Sequence, residues 1–262
     1  MRLIGTAASG IRAQQVAIDT IGNNIANVNT LGFKASQVDF AEALSTEVRS
    51  VNSKTGGNSG VAVLGVGAGV VYNAIGTNFQ QGTLAPSDRP LDLGIDGSGF
   101  FQVKTPDGKT GYTRVGAFQV DGSGQLADMQ GNVVQPSISI SSGATDLSVT
   151  SNGEITGVVA GATTTFGQIS LAGFQNPEGL QKNGNNLFVI TVNSGPPQVG
   201  QPGTTIGNQV LGTIRGQSLE QSNVDLAASM TDLMQVQRAY QVNARLVSDG
   251  DQMWGIANTM RR

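Results

Sequence analysis

The side chains that could carry chemistry in this chain are few. Its 262 residues contain no histidine and no cysteine, which excludes Ser-His-Asp and Cys-His catalysis and removes the usual zinc ligands. The clearest reactive pair is Asp92 and Asp96, four residues apart in the alternating stretch PLDLGIDG at 90–97. Two carboxylates facing one cleft would suit a glycosidase. The alternation predicts instead that both are solvated, on the side opposite the apolar residues of the strand.

Two glycine-rich stretches resemble ligand-binding loops only weakly. GVGAGV at 65–70 lacks the third glycine of a dinucleotide loop and does not open an amphipathic helix. DGSGQLADMQGN at 121–132 has Asn132 where a calcium loop needs a bidentate glutamate, so a hairpin turn is expected. The sequence therefore predicts a protein that is not an enzyme, with no catalytic, cofactor or metal site.

Composition excludes further classes. The net charge is −3, and no Lys/Arg cluster favours nucleic acid. No run of 18 apolar residues predicts a membrane span. At the start of the chain, Arg12, Gln14 and Gln15 interrupt any continuous apolar run, so a cleaved signal peptide is not expected.

Near the start of the chain, apolar residues repeat with a spacing that is typical of an α-helix. Isoleucines recur every seven residues, at Ile4, Ile11, Ile18 and Ile25. This spacing predicts an amphipathic helix over about residues 3–29, with Gly32 as its C-terminal stop.

The end of the chain repeats that pattern. The seven-residue series is Leu226, Leu233, Tyr240, Val247 and Trp254. It predicts a second helix over about residues 223–258, with Ser222 and Asp225 as an S-x-x-D capping box.

Between the helices the apolar period falls to two. Short alternating runs punctuated by Gly, Asn and Asp predict strands, among them 133–134, 138–140, 147–149, 155–159, 166–171 and 187–192. Residues 193–209 should be a loop. We expect an α+β fold in which long, coiled-coil-like terminal helices flank a central sandwich- or barrel-like β domain. The expected domains are a terminal helical domain (1–35 and 222–262), an extended connection (36–89 and 208–221) and a β domain (90–207).

The N-terminal helix is short of charge and rich in amides. Between residues 1 and 33 the charged side chains are Arg2, Arg12 and Asp19. Uncharged amides tolerate burial when they find hydrogen-bond partners, whereas Lys and Glu demand ion pairs. A helix lying on a membrane would carry Lys or Arg along its polar face. The pattern therefore favours a helix enclosed by neighbouring copies, although pairing of the two helices within one molecule is the alternative.

We accordingly predict a subunit interface. Its apolar seam is expected from Ile4, Ile11, Ile18, Ile25, Leu226, Leu233, Tyr240, Val247 and Trp254. Lateral hydrogen bonds are expected from Asn23, Asn24, Asn27, Gln235, Gln237 and Asn243. Phe33 is expected to anchor the turn between helix and β region.

Five blocks of the sequence resemble the bacterial flagellar rod and hook protein family. They are NNIANVNTLGFKAS (23–36), PLDLGIDGSGFFQV (90–103), YTRVGAFQVDGSGQL (112–126), QISLAGFQNPEGLQKNGNNLF (168–188) and SNVDLAASMTDLMQVQRAYQVNARLVSDGDQM (222–253). They follow the family's order over nearly the whole chain. The length and the stretch GTNFQQGTLAPSDRPLDL (76–93) are most similar to distal-rod members, with a proximal-rod or hook-type paralogue as the alternative. The resemblance is weakest over residues 45–70.

The resemblance implies a structural subunit of the flagellar basal body that is needed for motility. It implies a helical homopolymer with the terminal helices as an inner tube and the β domains outside. The implied partners are copies of itself, other rod and hook proteins, ring proteins where an outer membrane is present, and the flagellar type III export apparatus. A secreted β-domain binding module on a coiled-coil stalk remains an alternative of a different class.

Overall fold

The computed structural model describes residues 2–43, 46–53, 60–207 and 209–260. It places an α-helix near each end of the chain and strands, turns and one short 3-10 helix between them. The chain forms two compact units. The terminal unit comprises Met1–Ala26, Ser36–Thr77 and Asp225–Arg262, and the central unit comprises Asn27–Ala35 and Asn78–Val224.

The terminal unit contains the two helices and two pairs of strands. Its elements are α1 (Arg2–Ala26), β1 (Ser36–Glu42), β2 (Thr46–Ser53), β3 (Gly60–Val66), β4 (Val70–Thr77) and α2 (Leu226–Thr259). Helix α1 packs against α2 and also against β1 and β4. Both predicted helices are thus confirmed as elements, while their ends differ from the sequence-based bounds.

Helix α1 stops earlier than predicted, at Ala26. Asn27 instead begins a turn, since its main-chain oxygen and its Oδ1 accept hydrogen bonds from the Thr30 amide and hydroxyl. Asn competes with the helical backbone in this way. Gly32, with φ of 63°, lies beyond this turn and donates its amide to the Glu220 carbonyl at 2.8 Å.

The predicted capping box at the start of α2 is wrong. Asp225 is itself the N-cap, and its Oδ1 accepts from the amides of Ala227 and Ala228 at 2.8 and 3.1 Å. Ser222 lies outside the helix, where its Oγ accepts from the Val224 amide. Asp satisfies two orphan amides at once from the extended N-cap position, which leaves the serine no role in the cap.

Within the expected extended connection, four segments between residues 36 and 77 are paired as strands. β1 and β4 run antiparallel from Ser36 opposite Thr77 to Glu42 opposite Val70, and β2 pairs antiparallel with β3. The stretch GVGAGV joins β3 to β4 and opens no helix. Residues 54–59, within the expected extended connection, lie outside the described residues.

The central unit is built from short antiparallel strands. They are β5 (Leu84–Pro86), β6 (Leu93–Asp96), β7 (Phe100–Lys104), β8 (Thr110–Thr113), β9 (Phe118–Val120), β10 (Leu126–Asp128), β11 (Val133–Gln135), β12 (Thr145–Val149), β13 (Glu154–Val159), β14 (Ala162–Gln168), β15 (Leu171–Gly173), β16 (Gln181–Lys182), β17 (Leu187–Val189), β18 (Gln198–Gly200), β19 (Thr205–Ile206), β20 (Gln209–Val210), β21 (Thr213–Gly216) and β22 (Ser218–Glu220). The 3-10 helix covers Pro177–Gly179.

The largest sheet of this unit has nine strands. Seven follow the order β16-β17-β8-β7-β11-β10-β9, and β15 joins β7 to β18. A separate three-stranded sheet has the order β12-β13-β14, and β6 pairs with β21, β5 with β22, and β19 with β20. The hairpin turn predicted within residues 121–132 is confirmed, because Asp121 Oδ1 accepts from the Ser123 and Gln125 amides between β9 and β10.

Three predictions are wrong in this region. Residues 138–140, predicted as a strand, make only an isolated bridge, from Ser139 to Gln125. The predicted strand at 166–171 is divided between β14 and β15, which pair in different sheets. Residues 193–209, predicted as a loop, contain β18 and β19.

Two apolar clusters form the core of the central unit. The larger contains Leu93, Ile95, Phe101, Phe118, Leu126, Ile155, Ile169 and Leu171, each fully buried. The second is aromatic, with Phe100, Phe174 and Phe188 in edge-to-face contact around Tyr112 and Phe79. Such contacts add about 0.5–1.5 kcal/mol per pair to the free energy of unfolding beyond area burial.

Candidate subunit interface

Helix α1 buries small and polar residues rather than its isoleucines. Its buried side chains are Ala7, Ala13, Ala17, Thr20 and Asn24, whereas Ile4, Ile11, Ile18 and Ile25 are half-buried. Small residues allow α2 and the strand pair to approach the helix closely. A Cβ placed on Gly10 would lie 2.8 Å from Asn243 Nδ2 of α2. Part of the predicted apolar seam therefore retains accessible surface.

Helix α2 has an inner stripe and an exposed apolar face. Half-buried residues recur at Leu233, Val236, Tyr240, Asn243 and Val247, on the side that packs against α1. Exposed apolar side chains also repeat every four residues, in a row that turns by about 40° around the helix at each step and so passes from one flank of the inner stripe to the other. We call the series Leu226, Met230, Met234, Arg238, Val242 and Leu246 the outer row; its apolar members are 39–57% exposed. Contiguous exposed apolar surface of this kind marks a site of association.

The helix amides do not share one role. Asn24 is buried and forms a pair of hydrogen bonds within its own chain, donating Nδ2 to the Ser36 carbonyl at 2.8 Å and accepting the Ser36 amide at 2.9 Å. Asn23 and Gln237 are exposed, and Asn27 is half-buried in the turn after α1. Asn24 thus fixes the start of β1 on α1.

The remaining predicted interface residues divide by exposure. Leu226 and Trp254 are 40% and 51% exposed, respectively. Phe33 is buried in the central unit, where Lys182 Nζ lies 5.0 Å from the centre of its ring and donates to the Lys34 carbonyl at 3.0 Å. The structure of one chain leaves the participation of these residues in subunit contacts as a prediction.

An open groove lies between α1 and β4 within the terminal unit. Its volume is about 520 Å³, and it is lined by Gly5, Ala8, Ser9, Arg12, Ala13, Val70, Val71 and Tyr72. Ser9 closes its floor by accepting the Val70 amide at 3.2 Å and donating to the Thr6 carbonyl at 2.8 Å. The exposed rings of Phe40 and Tyr72 are paired across β1 and β4 nearby.

A buried ionic cluster holds together the segments at which the chain enters and leaves the central unit. Lys34 Nζ lies 2.6 Å from Glu220 Oε1, and Arg114 Nη1 lies 3.5 Å from Glu220 Oε2. Lys34 also donates to the Gln80 carbonyl at 2.7 Å, and the Gly82 amide donates to Glu220 Oε1 at 2.9 Å. These bonds join residues that are up to 186 positions apart in sequence.

Burial sets the electrostatics of this cluster. Desolvation lowers the pKa of the Lys34 ammonium, and the charge and hydrogen bond of Glu220 oppose that shift. Desolvation likewise lowers the pKa of the Arg114 guanidinium against the same carboxylate. One buried anion thus compensates two buried cations, and the carboxylate is indispensable to both.

The expectation that Asp92 is a solvated carboxylate is wrong. It is 2% exposed, accepts the Ser87 hydroxyl at 2.5 Å and lies 3.6 Å from Arg89 Nη1. The alternation argument failed because Asp92 precedes β6 and forms only an isolated bridge with Ala117. Asp96 is exposed, as predicted.

Sequence reasoning missed both the ionic cluster and the outer row. The cluster joins three charged residues distant in sequence, and nothing in the local sequence around Glu220 indicates that it pairs with Lys34 and Arg114. The outer row repeats every four residues, so a search for a seven-residue period passes over most of it. Among the described residues, no group of three or more acidic side chains has metal-site geometry, and none of their helices is long and apolar enough to cross a bilayer.

Three family models match the chain. They are described as "Flagella basal body rod protein" over residues 4–34, "Flagellar hook protein FlgE/F/G D1 domain" over 94–157 and "Flagellar basal body rod FlgEFG protein C-terminal" over 215–260. The first covers α1 and the turn after it, and the last covers β22 and α2.

Full-length relatives agree with these matches. The chain is 37% identical to the flagellar basal-body rod protein FlgG of Caulobacter vibrioides, with all of both chains covered. It is 36% identical to that of Agrobacterium fabrum, with 98% of each chain covered, and 36% identical to that of Borreliella burgdorferi, with 100% of this chain and 99% of the relative covered. Because three family models match in order and these relatives align over essentially their full length, this chain belongs to the flagellar basal-body rod protein family.

Proposed function

We propose that this subunit of the distal rod polymerises with copies of itself into a helical tube that transmits torque from motor to hook. The tube is held by the terminal unit, and no residue has a catalytic role. Torque transmission requires stiffness, and stiffness requires close-packed contacts between subunits. The chemistry of the terminal helices supports contacts of this kind.

The observation that carries the proposal is the exposed apolar face of α2. Five of the six residues in its outer row are apolar and at least 39% exposed, and Ile256 adds a side chain that is 60% exposed. Trp254, which is 51% exposed, continues the line of the inner stripe. A helix that functions alone in water places charged residues on such a face. Fully burying an exposed Leu or Met side chain contributes about 1.5–3 kcal/mol, so burying the half that is still exposed contributes about half of that per residue, and the row as a whole favours association.

The predicted seam fits a polymer in which each helix is enclosed on several sides. We propose that α1 and α2 pair like a coiled coil within each subunit, using the isoleucines of α1 and Leu233, Tyr240 and Val247 of α2. Their remaining accessible surface, with that of Leu226 and Trp254, then packs against neighbours. We also propose a sandwich- or barrel-like packing of the central sheets on the outside of the tube.

Partners other than copies of the same chain follow from the position of a rod segment. We propose that its ends contact other rod and hook proteins, that ring proteins surround it where an outer membrane is present, and that the type III apparatus exports it.

Concentrating the purified chain tests the polymer directly. We expect tubes in negative-stain electron micrographs above a critical concentration. Replacing Trp254 by Glu should raise that concentration roughly tenfold or more, because the variant loses about 1.5–3 kcal/mol of apolar burial and places a charge in the contact.

Val192→Glu is the matched control. Val192 is 99% exposed but lies in the central unit, so its replacement should leave the critical concentration unchanged. A wild-type chain that stays monomeric at every concentration would contradict the proposed function. It would favour the binding-module alternative.

A further inference from the structure

The outward face of α1 carries two glycines that its own chain does not explain. A Cβ on Gly5 or on Gly22 would meet no atom within 4 Å, whereas a Cβ on Gly10 would collide with Asn243. Glycine in a helix interior costs about 1 kcal/mol relative to alanine. Gly10 is explained by the packing of α2, but Gly5 and Gly22 lower helix stability without any compensating contact in the monomer.

These glycines belong to a face of α1 that is small or polar along its length. The face contains Gly5, Arg12, Gln15, Asp19, Gly22 and Ala26, all exposed. It extends for about 32 Å at about 1.5 Å per residue. Small residues at both ends leave a shallow surface that another helix backbone can approach closely, as in other helix pairs.

The outer row of α2 has a complementary charge at its centre. Its middle part, from Met230 to Val242, faces away from the inner stripe and extends for about 18 Å. It carries one charge, Arg238, and the α1 face carries one acidic residue, Asp19. Both side chains are exposed, and neither forms an ion pair within the described residues. We propose that the outer row of α2 docks on the outward face of α1 of a second copy, with Arg238 opposite Asp19.

The other charges on the two faces select one orientation. Arg245 lies seven residues after Arg238, and Arg12 lies seven residues before Asp19. With the helices antiparallel, pairing Asp19 with Arg238 would set Arg12 directly against Arg245, and like charges repel. The exposed Asp249 would lie one turn further along α2, opposite Ala8, and would offset only part of this repulsion. With the helices parallel, Arg245 lies opposite Ala26 and Arg12 opposite Thr231. The docking is therefore parallel, which places Gln15 beside Met234 rather than beside Val242.

The two faces are different surfaces of one chain, so the contact is heterologous. A heterologous contact leaves one free face of each kind at the ends of any assembly, and it builds an open helical polymer when its rotation does not close a ring. This inference rests on the proposed function, and it specifies which surfaces of two copies meet.

Charge reversal in the full-length chain tests the pairing. Asp19→Arg and Arg238→Asp should each raise the critical concentration for tubes at least about tenfold. The double variant should recover most of the loss. The matched controls, Asp107→Arg and Lys109→Asp, make the same changes of charge at exposed residues of the central unit and should behave like the wild type.

Cross-linking gives a second readout that does not depend on tube yield. The chain has no cysteine, so a Gln15→Cys variant mixed with a Met234→Cys variant can be linked by a short bismaleimide only between copies. This mixture should yield covalent dimers, and a mixture of Gln15→Cys with Val242→Cys should yield markedly fewer.

The outcomes separate the inference from the proposed function. Wild-type tubes together with unaffected single reversals, or equal cross-linking of the two mixtures, would overturn the inference and leave the polymer standing. Absence of wild-type tubes and of dimers would overturn both.

Discussion

Glu220 is the residue on which most of the buried charge of the central unit depends. Its carboxylate is the shared ion-pair partner of Lys34 and Arg114, which are nearly inaccessible to water, and its carbonyl accepts the Gly32 amide. Gly32 must be glycine here for two reasons. Its φ is 63°, and a Cβ would lie 2.9 Å from Val115 Cγ2. Together these contacts fix the segment after α1 to the segment before α2.

Glu220→Gln should therefore be strongly destabilising. The substitution leaves two buried cations without an anion, and breaking a buried pair in this way costs about 3–5 kcal/mol. We expect a loss of that size in urea unfolding of the full chain, followed by the fluorescence of an environment-sensitive dye that binds exposed core surface.

Asp107→Asn is the matched control for this measurement. Asp107 is exposed in the turn between β7 and β8, so the same change of a carboxylate to an amide should alter stability by less than about 0.5 kcal/mol. Equal effects at positions 107 and 220 would contradict the role assigned to Glu220.

At the scale of elements, the sequence predicted what is periodic and missed what depends on distant residues. The isoleucine series at 4, 11, 18 and 25 identified α1, but burial fell on the alanines that face α2 and the strands. The period of the apolar residues locates a helix, but it does not tell which face of the helix is most deeply buried. The pairing of β1 with β4 was missed because β2 and β3 separate the two strands along the chain, and their exposed Phe40 and Tyr72 gave no clear alternation.

The candidate subunit interface could be predicted only in part. The scarcity of charged residues in α1 is a property of the sequence, and it led to the expectation of lateral packing. Whether an amide is free or already paired was not visible, since Asn24 is committed to Ser36 by hydrogen bonds across the helix end. That Gly5 and Gly22 have no neighbouring atom to require a glycine could be seen only in the folded structure.

The N-cap of α2 gives a local test of this element. Asp225→Ala removes the acceptor for two helix amides and should lower helix stability by about 1 kcal/mol. Thermal unfolding followed by circular dichroism in the helix band measures the change. Asp232→Ala, an exposed position inside the helix, should have a smaller effect, and equal losses at both positions would contradict the cap.

The helices should also depend on association. An isolated helix with an unburied apolar face is only marginally stable, and much of the apolar surface of α2 stays exposed in one chain. We expect helix content to rise with protein concentration across the range in which tubes form. Full helix content with no dependence on concentration would contradict this coupling.

At the scale of the whole molecule, the distribution of charge is consistent with a chain that assembles through its ends. Only 13% of its residues are charged. Several of these are buried in the central unit and are not exposed to solvent. Helix α1 carries only Arg2, Arg12 and Asp19 as charged residues, so the arrangement of those few has a large influence on which faces meet.

If the contact is heterologous, a subunit that is defective in one of the two faces should stop the growth of a polymer that it joins. Asp19→Arg impairs the α1 face but keeps the outer row, so this variant can join one end of a growing polymer and then fails to accept the next copy. Small fractions mixed into the wild type should shorten the tubes seen by electron microscopy, whereas Asp107→Arg at the same fractions should leave their length unchanged.

A self-complementary contact would instead pair the variant with itself or with one wild-type copy, and tube number would fall with little change in length. Measuring both quantities against the fraction of variant distinguishes the two symmetries.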